Sequence, residues 1–223
     1  MKIVNKEQLE RGGFAGLKET RMVMDPRAFG PRSNQGTLSG IGNFIYLADA
    51  EFNPNGETRL HSHKEVDVIS VMVKGNITHE GSLKNGEGLS AGEVQVQRAG
   101  GEGFSHNEIN PNNKKNRMIQ LWVAPEQPGS AAGYKKYQPE TGQITQIYGG
   151  NINQSDTFNS HTYIDVAMLN KGQTYEVKGK FQAYLTTGKG IANEQDIKQG
   201  DLIDGKDLTF KASESLQLII VHL

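Results

Sequence analysis

The sequence predicts an all-β protein built as two consecutive β-barrels, and three observations carry that expectation. Short β-branched runs recur along the chain, Gly and Asn turns separate them, and one order of strands and Gly-acid turns occurs twice. Helical periodicity is nearly absent: only the stretches KEQLERG at 6–12 and NEQDIKQG at 193–200 read as weak helical turns.

In chain order, Val66 to Val73 is a β-branched run ending at the turn signal Lys74-Gly75-Asn76. Val94 to Gln97 alternates strictly after the turn Ala91-Gly92-Glu93, and Met118 to Val123 is a further strand that stops before Pro125. The second copy reads Ala183 to Gly188, then Gln199-Gly200-Asp201, Leu202-Ile203 and a closing strand from Leu216 to Leu223. Aligning Gly188 with Gly75 sets Thr174 and Glu176 against His61 and His63. Aligning Gly200 with Gly92 sets Leu216 against Glu108. The expected division is therefore a metal-bearing barrel at 1–130 and a barrel without metal ligands at 131–223. The Gly-, Pro-, Ser- and Asn-rich stretch from Pro125 to Gln154 is expected to link them.

Composition narrows the function classes. The chain has 223 residues, 35% of them hydrophobic, with 27 glycines, enough to bury a core. With 24 Lys and Arg against 25 Asp and Glu, the net charge of -1 offers no bulk field for nucleic acid or anionic lipid. The absence of cysteine excludes disulfides and thiolate zinc sites and fits a reducing compartment. No apolar run reaches signal-peptide or membrane-span length, so a soluble cytoplasmic protein is expected.

Four residues carry the chemistry. His61 and His63 in TRLHSHKEVDV, and His106 and Glu108 in GFSHNEINP, are two i, i+2 pairs. A strand sends i and i+2 to one face, so two neighbouring strands can aim three imidazoles and one carboxylate at a single ion. That donor set suits a first-row divalent metal such as iron, nickel, manganese, copper or zinc. His79, His161 and His222 have no acidic or imidazole neighbour at i, i+2 and are assigned structural roles. Ala99-Gly100-Gly101-Glu102-Gly103 lacks the Lys-Ser or Lys-Thr of a phosphate loop and reads as a tight turn. Phe29 to Gly36 reads as a mobile loop, with a pocket lid carrying Arg32 as the alternative, and Trp122 reads as core.

From Arg59 to Pro111, His-x-His, a short strand and Gly, a Gly-acid turn, and His-x-Glu-x-x-Pro together resemble the cupin metal signature of the pirin family. RGGFAGLKETRMVMDPRAFG and QLWVAPEQPGSAAGYKKYQPE are more loosely similar to that family's opening and inter-barrel segments. The resemblance implies a bicupin fold of two jelly-roll-type barrels, with His61, His63, His106 and Glu108 holding one divalent metal in the first. Fe(II) is the first choice ahead of Ni, Mn, Cu or Zn. Two departures stand out: Ser62 replaces a usual Pro, and Glu19 to Met24 replaces an aromatic Thr-Phe-Ser-Phe near the pocket mouth.

The same resemblance implies a quercetin 2,3-dioxygenase-type reaction on a flavonol or similar small enol-like substrate. Dioxygen would be the co-substrate and Glu108 the general base. A metal-sensing regulatory module with a protein partner is the alternative, and a metal-dependent isomerase a third reading.

Overall fold

The computed structural model describes residues 1–33 and 35–223. Its strands begin with β1 (Lys2–Asn5), β2 (Arg11–Phe14), β3 (Leu17–Met24), β4 (Phe44–Phe52), β5 (His61–His63), β6 (Asp67–Lys74) and β7 (Asn76–Gly81). They continue with β8 (Gly88–Ser90), β9 (Val94–Arg98), β10 (Phe104–Ile109), β11 (Arg117–Val123), β12 (Gly133–Tyr137) and β13 (Ile144–Gly150). The last are β14 (Ser160–Leu169), β15 (Thr174–Thr187), β16 (Lys189–Ala192), β17 (Gln195–Lys198), β18 (Asp201–Ala212) and β19 (Leu216–His222). One helical turn, α1 (Pro26–Phe29), is capped by Asp25, whose Oδ1 accepts from the Arg27 amide at 2.9 Å. A 3-10 turn follows at Gly30–Arg32, so the expected 29–36 loop opens with helical turns; its Asn34 lies outside the described residues.

Two compact units result, Leu9–Gln138 and Met1–Gln8 with Pro139–Leu223, against the simple split at 130/131 expected from the sequence. Strand pairing explains both differences. β1 pairs antiparallel with β18, which takes the N-terminal residues into the C-terminal unit. β12 pairs with β9, so part of the expected linker is a strand of the N-terminal unit, while β13 pairs with β14. The weak helical reading of 193–200 also fails. Asn193 and Glu194 both have positive φ, 44° and 67°, and form the two-residue turn of the β16–β17 hairpin, where Ala192 faces Gln195.

The internal repeat is real and closer than expected. The N-terminal unit runs β12-β9-β6-β11-β4-β3, and the C-terminal unit runs β1-β18-β15-β19-β14-β13 in the same order. Gly75 and Gly188 occupy matching turns at φ 76° and 85°. A Cβ on Gly75 would meet Asn116 Cβ at 2.8 Å, and one on Gly188 would meet Leu216 Cβ at 2.6 Å. Leu216 is thus the counterpart of Asn116, not of Glu108.

The ligand strands have counterparts too. β5-β10-β7-β8 form a separate four-stranded sheet. In the C-terminal unit the first part of β15, the last part of β18, β16 and β17 repeat that order as continuations of longer strands. His106 faces His61 on one side and Gly81 on the other; Phe210 faces Tyr175 and Ala192. Glu108 faces His79 as Ala212 faces Gly190, and Phe104 faces His63 as Leu208 faces Val177. The interior counterparts of the four residues are therefore Tyr175, Val177, Phe210 and Ala212. Thr174 and Glu176, the expected counterparts, are exposed. A one-residue shift moves a side chain to the opposite face, and the β-bulge between Val177 and Lys180 introduces that shift.

The two interiors differ sharply. In the C-terminal unit Phe181, Ala183, Leu185, Ile203, Phe210, Leu218 and Ile220 belong to one apolar cluster. In the N-terminal unit Met72 and Met118 sit in one cluster and Val68 and Phe104 in another. Ser70, Gln95 and Gln120 fall between them in the strand alternation, at positions that the pairing matches to Ala183, Ile203 and Ile220. Burying that polar layer is costly unless its groups find partners, and here Gln95 meets His79 while Ser70 and Gln120 donate to Glu108.

Candidate metal centre

The short strand β5 presents His61 and His63 to the same side, with Ser62 exposed between them. β10 lies alongside and turns His106 and Glu108 to that side by the same alternation. His106 is fully buried, His63 and Glu108 are buried, and His61 is half-buried. The Nε2 atom of His106 lies 3.1 Å from His61 Nε2 and 3.2 Å from His63 Nε2.

These separations are what an ion requires. Bonds of about 2.1 Å at angles between octahedral and tetrahedral put neighbouring nitrogens about 3.0–3.4 Å apart. His61 Nδ1 donates to the Arg59 carbonyl at 2.9 Å, since a carbonyl only accepts, and this leaves His61 Nε2 with a bare lone pair. Burial pushes the His63 imidazolium down to about 4, and it depresses His106 further, with His79, His63 and His61 adding repulsion. The lowered His63 and His106, with His61 Nε2 beside them, form a donor set that fits a first-row divalent cation.

The fourth expected residue stands slightly apart. The ring nitrogens of His61, His63 and His106 lie within 4.8 Å of one another, and a second set at that spacing joins His79, His106 and a Glu108 oxygen. The carboxylate thus groups with an inner pair of histidines while sharing His106 with the outer three. Ser70 Oγ donates to Glu108 Oε1 at 3.2 Å and Gln120 Nε2 to Oε2 at 3.2 Å. Burial still raises Glu108 to about 7, against the lowering effect of those two donors.

His79 is the residue that sequence reasoning missed. It lies on β7 opposite Glu108, is buried, and places Nε2 3.1 Å from His106 Nδ1 and 3.6 Å from Glu108 Oε1. Spacing within one strand cannot find it, because its neighbours come from the adjacent strand. The signal available was a histidine at an alternating position of a short strand between two turns, NITHEG. The two other histidines assigned structural roles lie in the C-terminal unit, and His222 Nε2 contacts Asp165 at 3.2 Å.

A pocket of about 530 Å³ opens onto His61, His63 and Glu108. Its wall carries a stack of three aromatic rings: Tyr46 and Trp122 are 4.6 Å apart, Phe29 and Tyr46 5.6 Å, and Phe29 and Trp122 6.1 Å. Trp122, read as core, borders the pocket and meets the His63 ring edge-on at 5.4 Å. Arg32 is among the residues that line the pocket. The segment that departs from the aromatic family pattern is also present here. Glu19 accepts from Tyr46 Oη at 3.0 Å and from Arg21 Nε at 2.8 Å, so an ion pair and a phenol stand at the entrance.

Comparison with known proteins agrees with this architecture. The family described as Pirin matches residues 27–123. A pirin-like protein of Caulobacter vibrioides is 27% identical over 186 residues, covering 78% of this chain and 80% of that one. A quercetin 2,3-dioxygenase of Escherichia coli K12 is 31% identical over 88 residues, covering 39% of this chain and 38% of that one. Among solved structures, the bacterial pirin YhhW of Escherichia coli, in complex with nickel(II), superimposes with a TM-score of 0.84 at 16% identity, covering 100% of this chain and 98% of that one. Among the described residues, no helix is long and apolar enough to cross a membrane.

Proposed function

We propose that the chain, which matches the Pirin family over residues 27–123, is a pirin-type cupin and a metal-dependent dioxygenase of the quercetin 2,3-dioxygenase type. Its substrate class is a flavonol or a similar small ring bearing an enolic hydroxyl, with dioxygen as co-substrate. The observation that carries this reading is the convergence of three imidazoles beside a buried carboxylate, at an aromatic-walled pocket that His61, His63 and Glu108 line.

His61, His63 and His106 would hold the ion, with Glu108 as the fourth donor. A bound ion, Fe(II) ahead of Ni, Mn, Cu or Zn, supplies a Lewis-acidic and redox-active centre with open positions. The rest of the chemistry belongs to the chain. Phe29, Tyr46 and Trp122 offer stacked faces to a planar substrate and exclude water around it. Glu108, a buried carboxylate bordering the pocket, is placed to accept the proton of the substrate hydroxyl. Ser70 and Gln120 hold both carboxylate oxygens, so the proton is received at a fixed position.

The test is oxygen uptake by anaerobically purified, Fe(II)-loaded protein after addition of quercetin. The expected result is consumption of dioxygen in step with loss of the flavonol chromophore and release of carbon monoxide. Turnover that proceeds equally well without dioxygen, or inactivity with every first-row metal, would contradict the proposal.

A further inference from the structure

We propose that His79 is a positioning residue for the metal centre: it accepts the Nδ1 proton of His106 and so fixes the tautomer that turns a bare His106 Nε2 toward His61 and His63. This rests on the metal-holding role of those three residues and goes beyond it by assigning the inner histidine.

The Gln95 amide Nε2 lies 3.5 Å from Gln97 Oε1, which only accepts, and 3.3 Å from Ser70 Oγ, while its Oε1 accepts from Tyr134 Oη at 3.4 Å. Those partners set which end of the amide faces inward. The same Nε2 lies 3.1 Å from His79 Nε2, and an amide nitrogen only donates, so His79 Nε2 is an acceptor. His106 Nδ1 lies 3.1 Å from that same nitrogen, and the contact is attractive when Nδ1 carries its ring's proton and shares the lone pair with the Gln95 amide. In a neutral imidazole the other nitrogen carries the lone pair, and His106 Nε2 is the atom 3.1 and 3.2 Å from His61 and His63 Nε2. The His79 proton is left on Nδ1, which is buried with no hydrogen-bond partner.

The C-terminal unit shows the arrangement removed as a set. Gly190 stands at the His79 position, Ile203 at the Gln95 position and Phe210 at the His106 position. A Cβ on Gly190 would lie 2.4 Å from Phe210 Cζ, so the larger ring occupies the space that His79 fills in the other unit.

The experiment is Co(II) binding, followed by chelator competition and by the visible spectrum of the bound ion, for the wild type, His79→Leu, His79→Gln and His61→Ala. Loss of a partner to a ligating histidine costs about 10–100-fold in metal affinity. His79→Leu is expected to show that loss with an altered Co(II) spectrum. His79→Gln, whose amide oxygen accepts the Nδ1 proton, is expected to stay within a few-fold of wild type. Wild-type affinity in His79→Leu, or equal losses in both His79 variants, would overturn the assignment. Unchanged affinity in His61→Ala would instead sink the ligand set beneath it. The metal-free wild type gives an independent check that needs no variant to fold: nitrogen-15 NMR is expected to show His106 protonated at Nδ1 and His79 unprotonated at Nε2. The opposite tautomers would overturn the proposal.

Discussion

Where the N-terminal unit turns His61, His63, His106 and Glu108 inward, the C-terminal unit turns Tyr175, Val177, Phe210 and Ala212 inward from strands paired in the same register. Behind them, Ser70, Gln95 and Gln120 correspond to Ala183, Ile203 and Ile220. One strand arrangement therefore supports two interiors. The apolar one is a packed core, in which Phe181, Phe210, Ile203 and Leu218 exclude water by filling space. The polar one trades part of that packing for a cluster of buried imidazoles and a raised carboxylate. The fold demands neither interior, so chemistry is assigned here from side chains and not from topology.

Exchanging residues between the interiors is the most direct way to break the comparison. His106→Phe puts the C-terminal residue at the centre of the N-terminal cluster, removing the nitrogen shared by both donor sets. Metal affinity is expected to fall by more than about 100-fold, beyond what loss of a supporting partner causes, and equilibrium dialysis with Co(II) measures it. Glu108→Gln is subtler, since it keeps the shape and removes the base. The ion should remain bound while kcat on quercetin falls about 10²–10⁴-fold, the usual worth of a positioned acid or base. Undiminished turnover would remove Glu108 from its role.

In the other interior, Phe210→Ala should act on stability alone. It should cost about 3–5 kcal/mol through the cavity left behind, read by urea denaturation, with metal content unchanged.

Acid gives the most diagnostic contrast. In the metal-free protein His63 and His79 have folded values of about 4 against 6.5, and His106 is depressed further. Their stabilising effect is present above pH 6.5 and is lost as pH falls toward 4, where the unfolded chain binds protons that the folded one refuses. Glu108 runs the other way: raised from 4.5 to about 7, it favours the folded state below pH 4.5 and loses that effect as pH rises through 7. Between pH 4.5 and 6.5 three groups oppose one, so stability should rise with pH at up to about 1.4 kcal/mol per unit for each net proton. Glu108→Gln removes the opposing group and should steepen that rise, as followed by urea midpoints across the range. A flat profile in both proteins would contradict the buried, neutral state of the histidines.

Much of this was legible in the sequence, for reasons particular residues make plain. The runs at 66–73, 94–97 and 118–123 became β6, β9 and β11 because alternation and β-branching report a half-buried pleated surface directly. The i, i+2 pairs led to the histidine cluster because both members of each pair share a strand. What failed depended on relations between strands. His79 joins the cluster through its position opposite Glu108. Thr174 and Glu176 were matched by counting residues, and a bulge two residues later makes counting wrong by one and reverses the face. The β17 segment looked helical because Asn193 and Glu194 resemble a helix start, yet their positive φ values close a hairpin. The N-terminal strand pairs with β18, almost 200 residues further along the chain, and no local pattern encodes that.

On the proposed reading, the polar interior holds a metal ion. Elemental analysis of anaerobically purified protein beside a His61→Ala variant tests it most directly, since His61 is half-buried at the pocket and its loss leaves the apolar clusters untouched. The account predicts close to one first-row metal per chain in the wild type and a large loss in the variant; equal metal content in the two proteins would contradict it.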